Sequence, residues 1–121
     1  MKLSATEEQL MHHLWKLKRA YLKELLAVLP DPKPAKTTVA TLLKRMIDKD
    51  MVGYELHGNS RQYYPKVSKR GYFGKKLRRM IDSYFDASPA AFASYFAEST
   101  KLNRTQLEEL QEIINRKLEE E

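Results

Sequence analysis

Six side chains within one short stretch carry the chemistry of this chain: Lys36, Thr37, Thr38, Thr41, Lys44 and Arg45. They are hydroxyls and cations, and no acid joins them before Asp48. Val39, Leu42, Leu43, Met46 and Ile47 recur between them at helical spacing. The spacing predicts a helix over 36–49 with an apolar stripe inward and the hydroxyls and cations outward. A helix dipole ordinarily draws acids to the first turn. Here that turn holds only lysine and threonine, so its positive end is open to a phosphate or a base edge. Threonine can donate, accept or touch a thymine methyl. Lys44 and Arg45 would follow along a groove, to phosphate. The plainer reading, a solvated face on a core helix, loses ground to what comes next: an aromatic-rich hairpin with a basic tip, on which His57 and Arg61 would meet the backbone or the minor groove.

No other grouping competes. His12 and His13 are adjacent, so they point to different faces of a helix, and no acid or third histidine stands at ligand spacing; no metal is expected. Trp15 reads as core or inter-helix packing rather than as a ligand platform. No nucleophile, base and orienting acid assemble by spacing, and there is no glycine-rich phosphate loop. The expectation is a non-enzyme without a cofactor.

The elements that must position the basic face follow from caps and periods. Ser4 with Glu7 is a capping box, so a helix begins near Ala5 and ends near Lys18, with Leu10, Leu14 and Leu17 on one face. Ala20–Leu22 is a brief extended segment. A short helix follows over 23–29, with Leu22, Leu25, Leu26 and Leu29 inward. Pro30, Pro32 and Pro34 stop it. The helix over 36–49 lacks a good N-cap, since Pro34 and Ala35 stand where Ser or Asp is preferred. Residues 51–56 and 62–67 are rich in β-formers and flank His57-Gly-Asn-Ser-Arg61, whose Gly-Asn is a turn signal. Three helices followed by a two-stranded hairpin is the order of a winged helix-turn-helix, its third helix for the major groove and its hairpin as the wing.

Ser68 caps a further helix over about 69–85, with a basic run from Lys69 to Arg79 that is either a solvated face or a DNA contact through Lys69 or Arg70. Ser88-Pro89 opens the next helix, and Asn103 with Gln106 caps the last. The expected fold is mainly α with a small β-hairpin wing: a winged-helix DNA-binding domain over 1–68 and a helical dimerisation domain over 69–121.

The charge divides in the same sense. The chain of 121 residues carries +6. Residues 1–80 hold 18 Lys and Arg against 7 Asp and Glu, a balance of +11, and residues 81–121 hold 4 against 9, a balance of −5. The basic front suits a polyanion. With no cysteine, disulfides and thiolate metal sites are excluded. No apolar run approaches the ~18 residues of a membrane span, and the N-terminus lacks the apolar core of a signal peptide. The expected location is the cytoplasm, without membrane insertion.

The back half has three short helices and too much aromatic surface for a core of its own. A second copy is the favoured cover, giving a two-fold homodimer. The expected interface residues are Phe73, Leu77, Tyr84, Phe85, Phe92, Tyr95, Phe96, Leu107, Leu110 and Ile114.

An ordered set of short segments adds a resemblance. Leu3-Ser4 precedes Glu7 to Trp15 in the first helix; Thr38-Val39 and Thr41-Leu42 with Arg45 lie in the third; Tyr63-Tyr64-Pro65 closes the wing. Phe85-Asp86-Ala87-Ser88, Phe96-Ala97-Glu98, Leu102-Asn103 and Leu107-Glu108-Glu109-Leu110 follow. From Leu3 to Leu118 the chain resembles the penicillinase-repressor family, the BlaI/MecI-type winged-helix repressors. The resemblance implies a homodimer that represses an operon from a palindromic operator. In resistance members of that family a membrane sensor protease, or a step it triggers, inactivates the repressor by a cut in the dimerisation region. That cut resembles an Asn–Phe bond; the matching bond here is Tyr95–Phe96. Copper-responsive relatives carry a C-terminal cysteine cluster, which this chain lacks. Ala40 stands where some members have a long polar side chain, a difference that bears on operator sequence.

Two other functions fit the same elements. A winged-helix protein-interaction module calls for a neutral or acidic third helix. A ligand-sensing regulator without the proteolytic switch calls for a polar-lined cavity in the back half, where the sequence offers aromatics and aliphatics.

Overall fold

The computed structural model describes residues 2–121. Its elements run α1 (Ala5–Leu17), β1 (Ala20–Tyr21), α2 (Leu22–Val28), α3 (Lys36–Asp48), β2 (Val52–His57), β3 (Ser60–Pro65), α4 (Lys69–Tyr84), α5 (Pro89–Ser99) and α6 (Arg104–Glu120). They form two compact units, Met1–Gly74 and Lys75–Glu121.

The first unit is a winged helix. The Ser4 hydroxyl accepts from the Glu7 N–H at 3.2 Å, and the Glu7 carboxylate accepts from the Ser4 N–H at 2.7 Å, so the capping box forms as expected. The helix closes at Lys18, which turns to φ +70 while its N–H still bonds Leu14 O at 2.8 Å. Leu10, Met11 and Leu14 of α1 meet Leu25 of α2, Val39, Leu43 and Met46 of α3, and Val52 and Tyr63 of the sheet in one core. Each such side chain contributes roughly 1.5–3 kcal/mol by leaving water.

Leu17 shares the expected face of Leu10 and Leu14 but, as the last residue of α1, is 37% exposed. The hairpin forms as expected, and β1 joins it as a third strand, giving an antiparallel sheet in the order β1-β3-β2, with Ala20 opposite Tyr63 and Tyr21 opposite Gln62. The β2–β3 register runs from Val52 opposite Pro65 to His57 opposite Ser60. The turn is therefore only Gly58-Asn59, and Gly58 takes φ +65, the conformation that two-residue hairpins ask of their first turn position.

The start of α4 belongs to this unit because its aromatics reach α1. Trp15 donates its indole N–H to Val67 O at 2.8 Å. Its ring lies 6.0 Å from that of Tyr72 and 5.8 Å from that of Phe73. Tyr72 also donates its hydroxyl to Glu8 Oε2 at 2.7 Å. Trp15 is thus a packing residue, as expected.

In the second unit each helix starts on a local cap. Ser88 Oγ accepts from Ala91 N–H at 3.0 Å with Pro89 at the first position of α5, and Asn103 and Gln106 bond reciprocally at the start of α6. Phe85 lies 5.5 Å from Phe92 and 5.4 Å from Tyr95, ring to ring, and Phe92 stacks on Phe96 at 6.2 Å. No residue of α5 or α6 is buried in the single chain.

Candidate nucleic-acid interface

Helix α3 divides cleanly. Val39, Leu43 and Met46 are fully buried, while Lys36, Thr37, Thr38, Thr41, Lys44 and Arg45 are all exposed. The buried stripe fixes the rotation of the helix, and that rotation turns all six polar side chains to solvent. Ala35 stands at the N-cap and makes no side-chain bond to the first turn. The free N–H groups there face outward with lysine and threonine beside them, a setting favourable to an anion.

The three threonines are not equivalent. The Thr41 hydroxyl donates to Thr37 O at 2.9 Å. Its proton is committed within the helix, so towards a base it offers only an acceptor lone pair and its methyl group. No such bond occupies Thr37 or Thr38 among the described residues.

The wing separates His57 from Arg61. Residues directly opposite share a sheet face, and Arg61 is opposite Leu56 while His57 is opposite Ser60. The two expected wing contacts therefore project to opposite faces of the hairpin. Arg61 lies over the Tyr54 ring at 4.3 Å. His57 Nε2 is 3.6 Å from Glu55 Oε2, and its ring is 6.2 Å from Tyr21. Glu55 also pairs with Arg19 at 3.2 Å, and Arg19 lies over Tyr64 at 4.8 Å. Arg61 is thus held by an aromatic ring, whereas His57 leans on an acid.

Sequence reasoning missed the cleft that joins the wing to the helices. A cavity of about 610 Å³ is lined by Lys23, Lys36, Asn59, Ser60 and Arg61 together with Tyr21, Leu22, Leu26 and Tyr63. Lys36, Arg61 and the wing over 57–61 that holds Asn59 and Ser60 were expected at the interface; Lys23 was not. Nothing local marks Lys23, one cation among many in the front half. Only the fold brings the first turn of α2 opposite the wing tip.

In the second unit Leu77, Tyr84, Tyr95, Phe96, Leu107 and Ile114 are exposed, reaching 81% for Tyr84. An open groove of about 770 Å³ between α5 and α6 is walled by Phe92, Phe96, Leu107, Leu110 and Ile114. Phe85 sits in that unit against Phe92 and Tyr95, whereas Phe73 lies in the first unit against Trp15. Tyr95 and Phe96 are consecutive residues inside α5.

His12 is held below the ordinary histidine value, first by desolvation and then by Lys16, Lys69 and His13, a cationic setting that disfavours a metal. Among the described residues no three His, Asp or Glu side chains gather as a metal site, and no helix is long and apolar enough to cross a membrane.

A family model described as Penicillinase repressor matches residues 3–116. Over 117 residues the chain is 23% identical to the methicillin resistance regulatory protein MecI of Staphylococcus aureus (strain N315), covering 96% of this chain and 95% of that one. The protein of the same name from Staphylococcus epidermidis matches with the same identity and coverage.

Proposed function

This chain belongs to the penicillinase repressor family, and from that premise we propose that it is a homodimeric DNA-binding transcriptional repressor. The winged-helix region, 1–68, takes the operator, with α3 in the major groove and the wing over 57–61 beside it. The helices over 69–121 hold two copies together. The observation that carries this reading is the one-sided chemistry of α3: six exposed hydroxyls and cations on a helix whose other side is locked into the core. Thr37, Thr38 and Thr41 face the base edges; Lys36, Lys44 and Arg45 face base edges or phosphates.

The exposed apolar surface of α5 and α6 supports the homodimer, because an uncovered surface of this extent is stabilised by a partner of the same shape. Two recognition helices related by two-fold symmetry require half-sites about one helical turn apart, roughly 34–36 Å, and hence a pseudo-palindromic site. Repression is then steric, by occupancy of promoter DNA. The chain works in the cytoplasm, has no catalytic role, and is relieved by a cut at Tyr95–Phe96 that a membrane sensor protease sets in motion. Because that bond lies within α5, the cut requires the helix to unwind locally.

The test is the triple variant Lys36→Ala, Thr38→Ala, Arg45→Ala. All three side chains are exposed, so the fold should survive, as circular dichroism would verify. The expected result is loss of preference for the DNA upstream of its own gene over a scrambled duplex. Retention of that preference would refute the assignment of α3.

A further inference from the structure

We propose that the cleft between the wing tip and the starts of α2 and α3 seats a backbone phosphate of the bound duplex, and that Lys23 is one of its ligands. The proposal rests on the DNA-binding reading above and adds to it a site and a residue that the recognition-helix argument does not contain.

Three elements each send one cation to this cleft: Lys23 from α2, Lys36 from α3 and Arg61 from β3. None of the described residues that line it is acidic. Five cations elsewhere are paired, Lys49 with Glu7, Lys66 with Asp50, Arg19 with Glu55, Arg104 with Glu108 and Lys117 with Glu120, while others among the described residues, Lys44 and Arg45 of α3 included, are not. What sets the cleft apart is that cations from three elements line one concavity with no acid among the described residues of its lining. Among the described residues Lys23, Lys36 and Arg61 have no ion pair. Like charges gathered on one cleft repel one another, and an anion between them converts that repulsion into attraction.

The rest of the lining selects among anions. Asn59 and Ser60 add neutral hydrogen-bonding groups at the wing tip, while Leu22 and Leu26 supply an apolar wall. A phosphodiester has this mixed character: anionic oxygens flanked by deoxyribose rings with apolar faces. The cation–π contact with Tyr54 holds Arg61 before any ligand arrives, so less side-chain freedom is lost on binding. Lys36 belongs both to the cleft and to the first turn of α3. A phosphate seated there would therefore set how deep α3 lies in the groove and lock the wing to it. Such a contact adds affinity on any sequence and specificity on none.

The experiment compares the full-length protein with Lys23→Ala and Lys23→Arg. Fluorescence anisotropy follows binding to a duplex from upstream of its own gene and to a random duplex of equal length, between 50 and 200 mM salt. Each lost phosphate contact lowers the salt slope by about 0.9, so a dimer losing two should show a slope shallower by about 1.8. Lys23→Ala should weaken both duplexes by a similar factor, and Lys23→Arg should restore the slope. If Lys23→Ala binds both duplexes with the wild-type slope while the α3 triple variant loses its preference, the cleft proposal fails and the DNA-binding reading stands. If the wild-type protein binds neither duplex in a salt-dependent way, both fail. Inorganic phosphate is the remaining arm. If it shifts the wild-type amide resonances of Asn59 and Ser60 at millimolar concentration while Lys23→Ala leaves DNA binding intact, the cleft serves a free anion and the proposal is overturned.

Discussion

Lys49 Nζ lies 2.6 Å from Glu7 Oε1, joining the first turn of α1 to the residue that closes α3. The same ammonium donates to Lys2 O at 3.1 Å. Glu7 is only 2% exposed and is the one buried charged residue among those described. Desolvation alone would push its carboxyl up. The hydrogen bond from Lys49, the backbone and hydroxyl of Ser4 and the charge of Lys49 outweigh it, and the group sits below its ordinary value of 4.5. A depressed carboxylate adds stability that is fully present above 4.5 and is lost as pH falls through its folded value. Urea unfolding of the full chain at fixed concentration should show stability falling below pH 4.5, and Glu7→Gln should flatten that fall. Lys49→Met leaves the buried carboxylate unpaired and should cost about 3 kcal/mol at pH 7. An unchanged urea midpoint in Lys49→Met would contradict this role for the pair.

Two glycines should respond in opposite senses to alanine. A Cβ at Gly53 would stand 2.7 Å from the Tyr64 ring, whereas a Cβ at Gly74 meets nothing within 4 Å. Gly53→Ala forces the ring off the strand and should destabilise by about 1–3 kcal/mol. Gly74→Ala lies inside α4 and should stabilise by about 0.5–1 kcal/mol. Thermal melts of the two variants at equal concentration check the pair of signs.

Thr41 should act through its methyl group rather than its proton, since the proton is held by Thr37 O. Thr41→Val keeps the methyl and should leave operator preference nearly intact. Thr41→Ser removes it and should weaken operator binding about fourfold, the worth of one buried methyl at ~0.8 kcal/mol. Weakening by Thr41→Val with normal binding by Thr41→Ser would mean that the hydroxyl oxygen, not the methyl, makes the contact.

The dimer should depend on the groove of the second unit. Phe96→Asp with Ile114→Asp places two charges among Phe92, Leu107 and Leu110. Sedimentation should then pass from dimer to monomer, with a large loss of DNA affinity. A dimer that persists with both charges in place would locate the interface elsewhere.

What the sequence made legible is what is local. The caps at Ser4, Ser88 and Asn103 need only a partner three residues away, and each forms as read. The stripe of α3 needs only a period: Val39, Leu43 and Met46 are buried where the period puts them, and Leu42 and Ile47 pack against that core partly buried. What remained out of view depends on contacts between distant residues. Ala20–Tyr21 read as extended, but its pairing with Gln62 and Tyr63 lies across some forty residues of chain. The hold of Trp15 on Tyr72 and Phe73 spans nearly sixty. Lys23 carries no local mark at all and gains its setting only when α2 and the wing tip share one cleft.

The most direct measurement is binding of the purified protein to the duplex upstream of its own gene against a scrambled duplex, across a salt series. The prediction is a tight, salt-dependent preference for the upstream duplex with two protomers per site. With six phosphate contacts per dimer, affinity should fall about a thousandfold between 50 and 200 mM salt. Equal, weak binding to both duplexes at every salt concentration would contradict repression from its own promoter and direct attention to a different partner for the basic face of α3.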